Sequence, residues 1–282
     1  MKRWLYLAAM VVALASPAQG QSLGFGLGLD NTKKTASSGG APFVLATGLY
    51  SFRRLLPAFV GSPIRLRRAS DNLQQDIGFS GDNFDLAAAT TFCSATSCFV
   101  VTWYDQAPAA QNFTQVSAAN QPPFLFACLN GIPCVSLSTT LSSMAAPSVG
   151  QTGVVTLNIV VNRTLGTGIC VVPQVSNNSI KTRSGVAGLI LAGSIGSITT
   201  SSAEAAWHSA TGVINAAGSS FAVDGVKTAG SLTGSTTTAA PSMAAASTTT
   251  CLVAEMAFWQ AYAMTDAEVT ALNADQHAYW GF

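Results

Sequence analysis

Carboxylates are the residues of this sequence that could do acid–base chemistry, and they are few. Glu204 and Asp224 are the only acidic residues between Asp105 and Glu255. Glu204 lies just before Trp207 and the histidine that follows it. An indole beside a carboxylate and an imidazole suits a site that stacks a sugar ring, whereas a tryptophan on a sandwich strand also suits the core. The sequence therefore favours a core position for Trp207, and a sugar-stacking surface, for which Trp207 is a candidate residue, is the alternative.

The other carboxylates of this stretch have structural interpretations. Asp224 precedes a glycine between two apolar runs, which predicts a tight turn. Asp105 follows a strand, and we expect its carboxylate to hydrogen-bond the next loop; a catalytic role is the alternative, because loops carry function. No GxSxG motif indicates a serine hydrolase. The four aspartates between residues 71 and 85 lack EF-hand spacing, so no metal or other cofactor is predicted.

A group of arginines precedes those aspartates. Ile64–Arg68 alternates apolar and basic residues, as a half-buried strand does. Three arginines together could bind an anion, but acidic partners follow closely in the chain. We expect the arginines to pair with Asp71, Asp76, Asp82 and Asp85.

Six cysteines are present, and an even number in an exported chain favours disulfides. Metal binding is the alternative, but there is no CxxC motif and neither histidine lies near a cysteine. Locality favours the first two pairs, which leaves the third to join distant strands. The predicted disulfides are Cys93–Cys98, Cys128–Cys134 and Cys170–Cys251.

The first twenty residues predict export. Lys2 and Arg3 precede the apolar run Trp4–Leu14, and small residues follow, as in a cleavable signal peptide. A membrane anchor is the alternative, but the run is shorter than the ~20 residues of a spanning helix. Residues 21–42 then predict a flexible lead-in, and residues 43–282 a single domain. We expect a secreted, periplasmic or extracellular protein with no membrane span after cleavage.

The composition of this domain argues against nucleic acid as a partner. Only 9% of residues are charged and the net charge is +1. Without a basic patch, the chain offers nothing to attract nucleic acid. A surface rich in hydroxyl groups and poor in charge is typical of an extracellular β-protein.

Most of the domain predicts short strands. The run Phe99–Tyr104 is β-branched and aromatic, as in a buried strand, and Asn130-Gly131 predicts a two-residue hairpin turn between Pro123–Leu129 and Ile132–Leu137. Further strands are predicted at 154–161, 169–172, 186–191, 206–214, 219–223 and 251–262, with a poorly patterned loop and one weak strand across 228–250. Predicted helices are Ala46–Leu56, Asp85–Phe92, and a last one capped by Thr265 and Glu268. This pattern predicts an all-β, two-sheet antiparallel sandwich with a few short helices.

Four ordered motifs between residues 47 and 137 resemble the catalytic domain of α-L-arabinofuranosidase B. They are YSFRRL, PIRLRRASDNLQQDIGF, FCSATSCFVVTWYDQ and NFTQ. The resemblance implies a concanavalin-A-like sandwich, a Tyr-Ser helix, and a disulfide in the FC-x4-C loop, which agrees with Cys93–Cys98. The second half, with WHSATGVI, SSFAVDGVKT and a closing helix, is similar to laminin-G-type and concanavalin-A-type lectin domains, and to phage-tail mosaics.

The resemblance also implies two catalytic carboxylates, and this sequence departs from the pattern there. The family's nucleophile is a Glu in an Asn-Ala-Glu segment after a Cys-Cys pair, whereas the stretch around Cys170 reads GICVVPQVSNNSIKT. Its acid/base is an Asp before a late strand, whereas this chain reads MAAASTTTCLVAE. Glu255 matches a different glutamate, inside that strand. Retaining glycosidases need two carboxyl groups about 5–5.5 Å apart.

The sequence therefore predicts a carbohydrate-binding or surface-interaction protein, with glycan or polysaccharide as its partner, arabinose-containing if the family carries over. One alternative is an active α-L-arabinofuranosidase that uses Glu204, Asp105 or other acids, and another is a structural phage-tail-like or envelope module. The candidate carbohydrate-binding residues are Asn177, Asn178, Trp207, Ser247 and Thr249.

Overall fold

The computed structural model describes residues 41–137, 142–163, 169–183, 187–246 and 249–282. The predicted export signal, the lead-in up to residue 40, and Ser247 lie outside these ranges. No helix within them is long and apolar enough to cross a membrane.

Twenty strands and three α-helices make up the described chain. The strands of its first half are β1 (Gly48–Ser51), β2 (Ile64–Arg68), β3 (Gln74–Ile77), β4 (Phe79–Ser80), β5 (Asn83–Phe84), β6 (Cys98–Trp103), β7 (Phe113–Thr114), β8 (Phe124–Leu129), β9 (Ile132–Leu137) and β10 (Ser143–Ala145). Those of its second half are β11 (Val155–Arg163), β12 (Ile169–Val175), β13 (Asn178–Thr182), β14 (Leu189–Ala192), β15 (Ser197–Thr199), β16 (Trp207–Ile214), β17 (Ala216–Val223), β18 (Val226–Leu232), β19 (Ser242–Ala246) and β20 (Cys251–Gln260). The helices are α1 (Ala41–Val44), α2 (Leu86–Phe92) and α3 (Asp266–Trp280), and Ala118–Asn120 is a 3-10 turn.

Two antiparallel sheets confirm the predicted sandwich. One has eight strands in the order β18-β17-β16-β11-β20-β9-β8, with β1 also paired to β20. The other has ten strands in the order β15-β14-β13-β12-β19-β10-β7-β6-β2-β3. Strands far apart in the chain thus become neighbours, as with β9 beside β20.

Apolar side chains from both sheets fill the space between them. Tyr50 of the eight-stranded sheet packs on Trp103 and Phe113 of the ten-stranded sheet, with ring centroids 6.1 and 4.7 Å apart. The predicted buried strand is β6, whose Val100 and Trp103 are fully buried. Aromatic pairs of this kind add to the stability that area burial already gives.

All three predicted disulfides are confirmed. Cys93–Cys98 joins the end of α2 to the start of β6, and Cys128–Cys134 joins the two arms of the β8–β9 hairpin. Cys170 lies on β12 and Cys251 on β20, so the third disulfide ties the two sheets together across 81 positions.

The predicted helix at Ala46–Leu56 is wrong, as is the Tyr-Ser helix that the family resemblance implied. The segment contains β1, whose four residues are all buried. Leu49 packs in the cluster against α3, whereas Tyr50 and Phe52 pack between the sheets. Because a strand buried on both faces is apolar on both, its pattern can match helical spacing, and pairing with β20 outweighs the local preference.

The local turn and cap predictions are confirmed. Asp85 caps α2 by accepting from the Ala88 N–H, and Thr265 and Glu268 form a capping box at α3. Asn130 and Gly131 have φ of 51° and 76°, as a type I′ hairpin turn requires. Across 228–250 the structure has more strand than expected, because β18 continues to Leu232 before β19.

The outer faces of the two sheets differ. Val269 and Leu272 of α3 pack in a second apolar cluster with Trp259 of the eight-stranded sheet. On the ten-stranded sheet, strand register aligns Lys181, Val171, Ala244 and Ser143 in one row of partly exposed side chains. One sheet is therefore covered by a helix, and the other presents small, mostly uncharged side chains.

Candidate functional site

Glycoside hydrolysis depends on acidic side chains. Of the 12 acidic residues only Asp30 lies outside the described ranges. Every other one contacts a basic side chain or a backbone N–H. The contacts are those of Asp71, Asp76, Asp82, Asp85, Asp105, Glu204, Asp224, Glu255, Asp266, Glu268 and Asp275.

The predicted arginine–aspartate pairing is confirmed for the exposed pairs. Arg65 Nε and Nη2 each donate to Asp76 at 2.8 Å, and Arg68 binds Asp71. Asp76 also accepts from Tyr104 Oη at 2.8 Å. Hydrogen bonds from Arg65 hold the pKa of Asp76 below its ordinary value, so this carboxyl is ionised and cannot act as a general acid near neutral pH.

Arg67 departs from that prediction. Its guanidinium is buried and donates to Gln121 Oε1 at 2.6 Å and to Asn72 Oδ1 at 2.8 Å. Of the other two predicted partners, Asp82 pairs with Arg54 and Asp85 caps α2. On β3, Asp76 lies opposite Arg65 but Gln74 lies opposite Arg67, so Arg67 has no carboxylate across this strand pair and binds amide oxygens instead.

Asp105 braces a loop, as predicted. Its Oδ1 accepts from the N–H groups of Leu49 and Ala107 at 2.7 and 2.8 Å, and its Oδ2 from Gln111 at 2.8 Å. Burial raises the pKa of Asp105 to about 6, although these N–H groups act in the opposite direction. Such a pKa would suit a general acid, but the side chain is only 3% exposed. A sugar cannot reach it.

One pair of carboxylates is brought together by a shared arginine. Nη2 of Arg53 lies 3.0 Å from Oε1 of Glu255 and 2.6 Å from Oδ2 of Asp275. These two oxygens can therefore be no farther apart than the sum of those distances, close to the spacing of retaining enzymes. Glu255 is fully buried, and Ser51 and Gln276 also bind its carboxylate.

This buried cluster is structural. Burial opposes the charge of Glu255, but Arg53 outweighs it and keeps the pKa of Glu255 below its ordinary value. The predicted helix Ala46–Leu56 offered no buried partner for Arg53, whereas the observed strand β1 leads it to Glu255. One signal was available: Glu255 is the only acid in the apolar run LVAEMAFW, and a buried carboxylate requires a cationic partner.

Glu204 is also held in an ion pair. Arg163, 5% exposed, donates to both oxygens of Glu204 at 3.1 and 2.7 Å. The Ala205 N–H donates to the Arg163 carbonyl and extends the contact. Trp207, the first residue of β16, is half-buried and packs against the sandwich core. The tryptophan thus contributes to the core while part of its ring stays exposed.

The candidate sugar-binding residues do not meet at one place. β12 pairs with β19 so that Ile169 opposes Ala246 and Gln174 opposes Ser242. Thr249 therefore lies beyond one end of β12, and Asn177 beyond the other. At about 3.3 Å per residue, the length of β12 separates them by roughly 20 Å. Through Asn162 and Leu252 of the neighbouring strands, Trp207 lies at the Thr249 end.

The candidate sugar-binding residues also differ in their exposure to solvent. Asn178 is fully buried, and its Oδ1 accepts from the Ser235 N–H at 3.0 Å. Thr249 is fully buried, and its hydroxyl has no hydrogen-bond partner among the described residues. Asn177 is exposed in the β12–β13 turn. Asn177 and Trp207 are thus the candidates that a ligand can reach.

No cluster of three histidine, cysteine or acidic side chains suited to a metal occurs in the described ranges. A small cavity lies between the sheets and is lined by Ile159, Val161, Cys170, Val172, Ile180, Lys181, Thr182 and Leu189. Its apolar lining makes it a packing defect of the core.

Known proteins resemble parts of this chain. The family model "Alpha-L-arabinofuranosidase B, catalytic" matches residues 35–125. A probable alpha-L-arabinofuranosidase B of Aspergillus flavus is 32% identical over 113 residues, which are 39% of this chain and 20% of that protein. The chain thus spans about a fifth of the length of the curated relative it matches.

Solved structures resemble a larger part of the chain. A GH54 α-L-arabinofuranosidase variant soaked with 4-nitrophenyl α-L-arabinofuranoside superimposes with a TM-score of 0.67 at 14% identity, over 83% of this chain and 63% of that one. An arabinofuranosidase complexed with arabinofuranosyl-α-1,2-xylobiose gives a TM-score of 0.66 over the same shares, also at 14% identity. These matches confirm the resemblance to the arabinofuranosidase B catalytic domain and its sandwich fold.

Proposed function

We propose that this protein is an exported glycan-binding protein, built on an arabinofuranosidase-B-like sandwich that does not hydrolyse its ligand. The domain would span residues 43–282, after a signal peptide at 1–20 and a lead-in at 21–42. The observation that carries the proposal is the engagement of every described carboxylate, with none paired to another at an accessible surface. The segments between the described ranges, residues 138–141, 164–168, 184–186 and 247–248, contain no Asp or Glu.

Sugar binding does not require the pair of carboxylates that hydrolysis requires. Hydroxyl and amide groups can bind sugar hydroxyls, and an aromatic ring can stack on a sugar face. Trp207 offers a partly exposed ring at one end of the sandwich, and Asn177 an exposed amide at the other. The proposed contacts are Trp207 at the first end and Asn177 at the second. The protein's low charge favours an uncharged polysaccharide, with arabinan or arabinoxylan as the first to test.

Matched variants distinguish the two ends. Binding of arabinan and arabinoxylan is measured by affinity electrophoresis and calorimetry for the wild type, Trp207→Ala, Trp207→Phe and Asn177→Ala. If the Trp207 end binds, Trp207→Ala weakens affinity by about tenfold or more, ~1.4 kcal/mol, while Trp207→Phe retains most of it. Loss with Asn177→Ala alone places the site at the other end. A glycan array without hits contradicts glycan binding and leaves the structural module.

Hydrolysis remains the second candidate because of the Arg53-bridged pair. Glu255 and Asp275 both bind Nη2 of Arg53, which holds two carboxylates close together as a retaining glycosidase requires, and the motif-bearing half resembles such an enzyme. This candidate predicts turnover of 4-nitrophenyl α-L-arabinofuranoside that disappears in Glu255→Gln or Asp275→Asn. Turnover that instead depends on Glu204 or Asp105 would also overturn the binding-only proposal.

A further inference from the structure

His208 has oxygen acceptors at both ring nitrogens. Its Nδ1 lies 2.5 Å from Oδ2 of Asp224, and its Nε2 lies 2.9 Å from the carbonyl oxygen of Ala203. A neutral imidazole has one N–H donor, whereas an imidazolium has two. Both contacts are therefore satisfied only when His208 is protonated.

A second histidine approaches the same carboxylate from α3. Nδ1 of His277 lies 2.5 Å from the carbonyl oxygen of Phe282, so this nitrogen carries the donor proton. Nε2 lies 3.7 Å from Oδ1 of Asp224 and is buried without a hydrogen-bond partner among the described residues. In neutral His277 a lone pair faces the carboxylate, and protonation of Nε2 replaces that repulsion with attraction.

Asp224 occupies a constrained position. It stands with Gly225 in the β17–β18 turn, with φ of 49° and 80°, and its Oδ1 accepts from the Ser209 N–H at 2.9 Å. The nearby Lys227 binds Asp266 instead, at 2.5 Å. The basic groups in contact with Asp224 are thus the two histidines.

The other charged groups near His208 and Asp224 lie on three structural elements. The segment before β16 contributes Glu204, which binds Arg163 of β11. The β17–β18 turn contributes Asp224, and α3 contributes His277. Asp224 contacts His208 directly, and the charges of Asp224 and Glu204 both favour its cation.

We propose that His208, Asp224 and His277 form a proton-operated latch that joins the β17–β18 turn to α3 and to the segment before Trp207. In the protonated latch, His208 bridges Asp224 and the Ala203 carbonyl. When His208 loses a proton it gives up one of these contacts, and the segment Ala203–Trp207 is then held less tightly. Altered glycan affinity at Trp207 would be a further consequence, and that consequence rests on the proposed function.

The direction of the pH effect follows from the same contacts. Burial opposes the charge of His208, but the hydrogen bond with Asp224, the Ala203 carbonyl and the nearby Glu204 together raise its pKa above 6.5. A raised pKa in the folded state stabilises the fold fully below the unfolded-state pKa, near 6.5, and this stabilisation is lost as pH rises through the folded-state pKa. The latch therefore holds in mildly acidic solution and releases in alkaline solution.

The test is an NMR titration of the two histidine rings in the wild type, Asp224→Asn and Asp266→Asn. We expect His208 to be doubly protonated at pH 6.5 and to titrate above it, and Asp224→Asn to lower its midpoint by about one pH unit or more. Asp266→Asn, which removes the exposed pair with Lys227 on the adjacent strand, should leave His208 unchanged. A wild-type midpoint at or below 6.5, or one unaffected by Asp224→Asn, overturns the latch.

If Asp224→Asn does not fold, the titration midpoint of His208 in the wild type still tests the proposed latch. His277→Gln provides a second variant, which removes the contact of α3 with Asp224 and should lower the melting temperature. An unchanged melting temperature contradicts the role of His277 in the latch. Because these readouts need no glycan, the latch can fail while glycan binding stands, and the reverse.

Discussion

The ion pairs of the two halves of the sandwich join residues at different separations in the chain. In residues 41–137, where the arabinofuranosidase motifs lie, Arg68–Asp71 and Arg65–Asp76 join partners 3 and 11 positions apart. In residues 142–282, Arg163–Glu204 spans 41 positions, and Glu255 reaches back 202 positions to Arg53 of the first half. The ion pairs of the family motifs therefore brace the fold locally.

The largest effect is expected where the two halves meet, at Arg53 and Glu255. Glu255→Ala leaves a buried guanidinium with part of its carboxylate partners missing, and should lower the free energy of unfolding by about 3–5 kcal/mol. Denaturant unfolding measures this loss. A Glu255→Ala protein as stable as the wild type would contradict the structural role of the cluster.

The disulfides offer a matched comparison of a long and a short closed loop. Opening Cys170–Cys251, which spans 81 positions, should cost about 4.5 kcal/mol on the chain-entropy model, against about 2 kcal/mol for Cys93–Cys98. Double serine variants of each pair are compared by thermal unfolding. Equal losses would show that chain entropy does not set the contribution of the cross-sheet disulfide.

Asp105 tests whether a family motif residue is structural. Asp105→Ala deprives the N–H groups of Leu49, Ala107 and Gln111 of their acceptor, so the free energy of unfolding should fall by about 3 kcal/mol. Glycan binding per folded molecule should not change. A variant with native stability but no binding would move Asp105 into the functional site.

The pH dependence of stability provides a second test of the structural role of Asp105. Because its pKa is raised from 3.8 to about 6, the folded state binds the proton more tightly than the unfolded state. Its contribution is therefore largest in acid and falls as pH rises from 3.8 to about 6. The stability of the wild type relative to Asp105→Asn should decline across that window. A difference that stays constant with pH would contradict the raised pKa.

The smallest effect is expected at the exposed pair Arg65–Asp76. Both side chains are about 40% exposed, so solvent screens their attraction. Asp76→Asn should lower the free energy of unfolding by less than about 1 kcal/mol. A loss comparable to that of Glu255→Ala would remove the distinction between exposed local pairs and the buried distant one.

Sequence patterns predicted the local part of this structure well. The Asn130-Gly131 turn, the Asp85 cap and the Thr265–Glu268 box each depend on a few adjacent residues, and each is confirmed. The fold class followed from many short strands with turn residues between them.

The failures have one physical origin, which is pairing between distant strands. Ala46–Leu56 matched a helix by spacing, but β20 pairs with it from about 200 positions away. Asn177 and Thr249 are both predicted sugar contacts, because each lies near a segment that corresponds to a catalytic segment of the family. Strand register places them at opposite ends of β12, and no local pattern encodes that register.

Turnover of 4-nitrophenyl α-L-arabinofuranoside by the purified, disulfide-intact protein tests the central claim most directly. The engagement of every described carboxylate predicts no hydrolysis above that of Glu255→Gln, alongside measurable binding of a neutral polysaccharide. Saturable turnover that a single carboxylate substitution abolishes would contradict it.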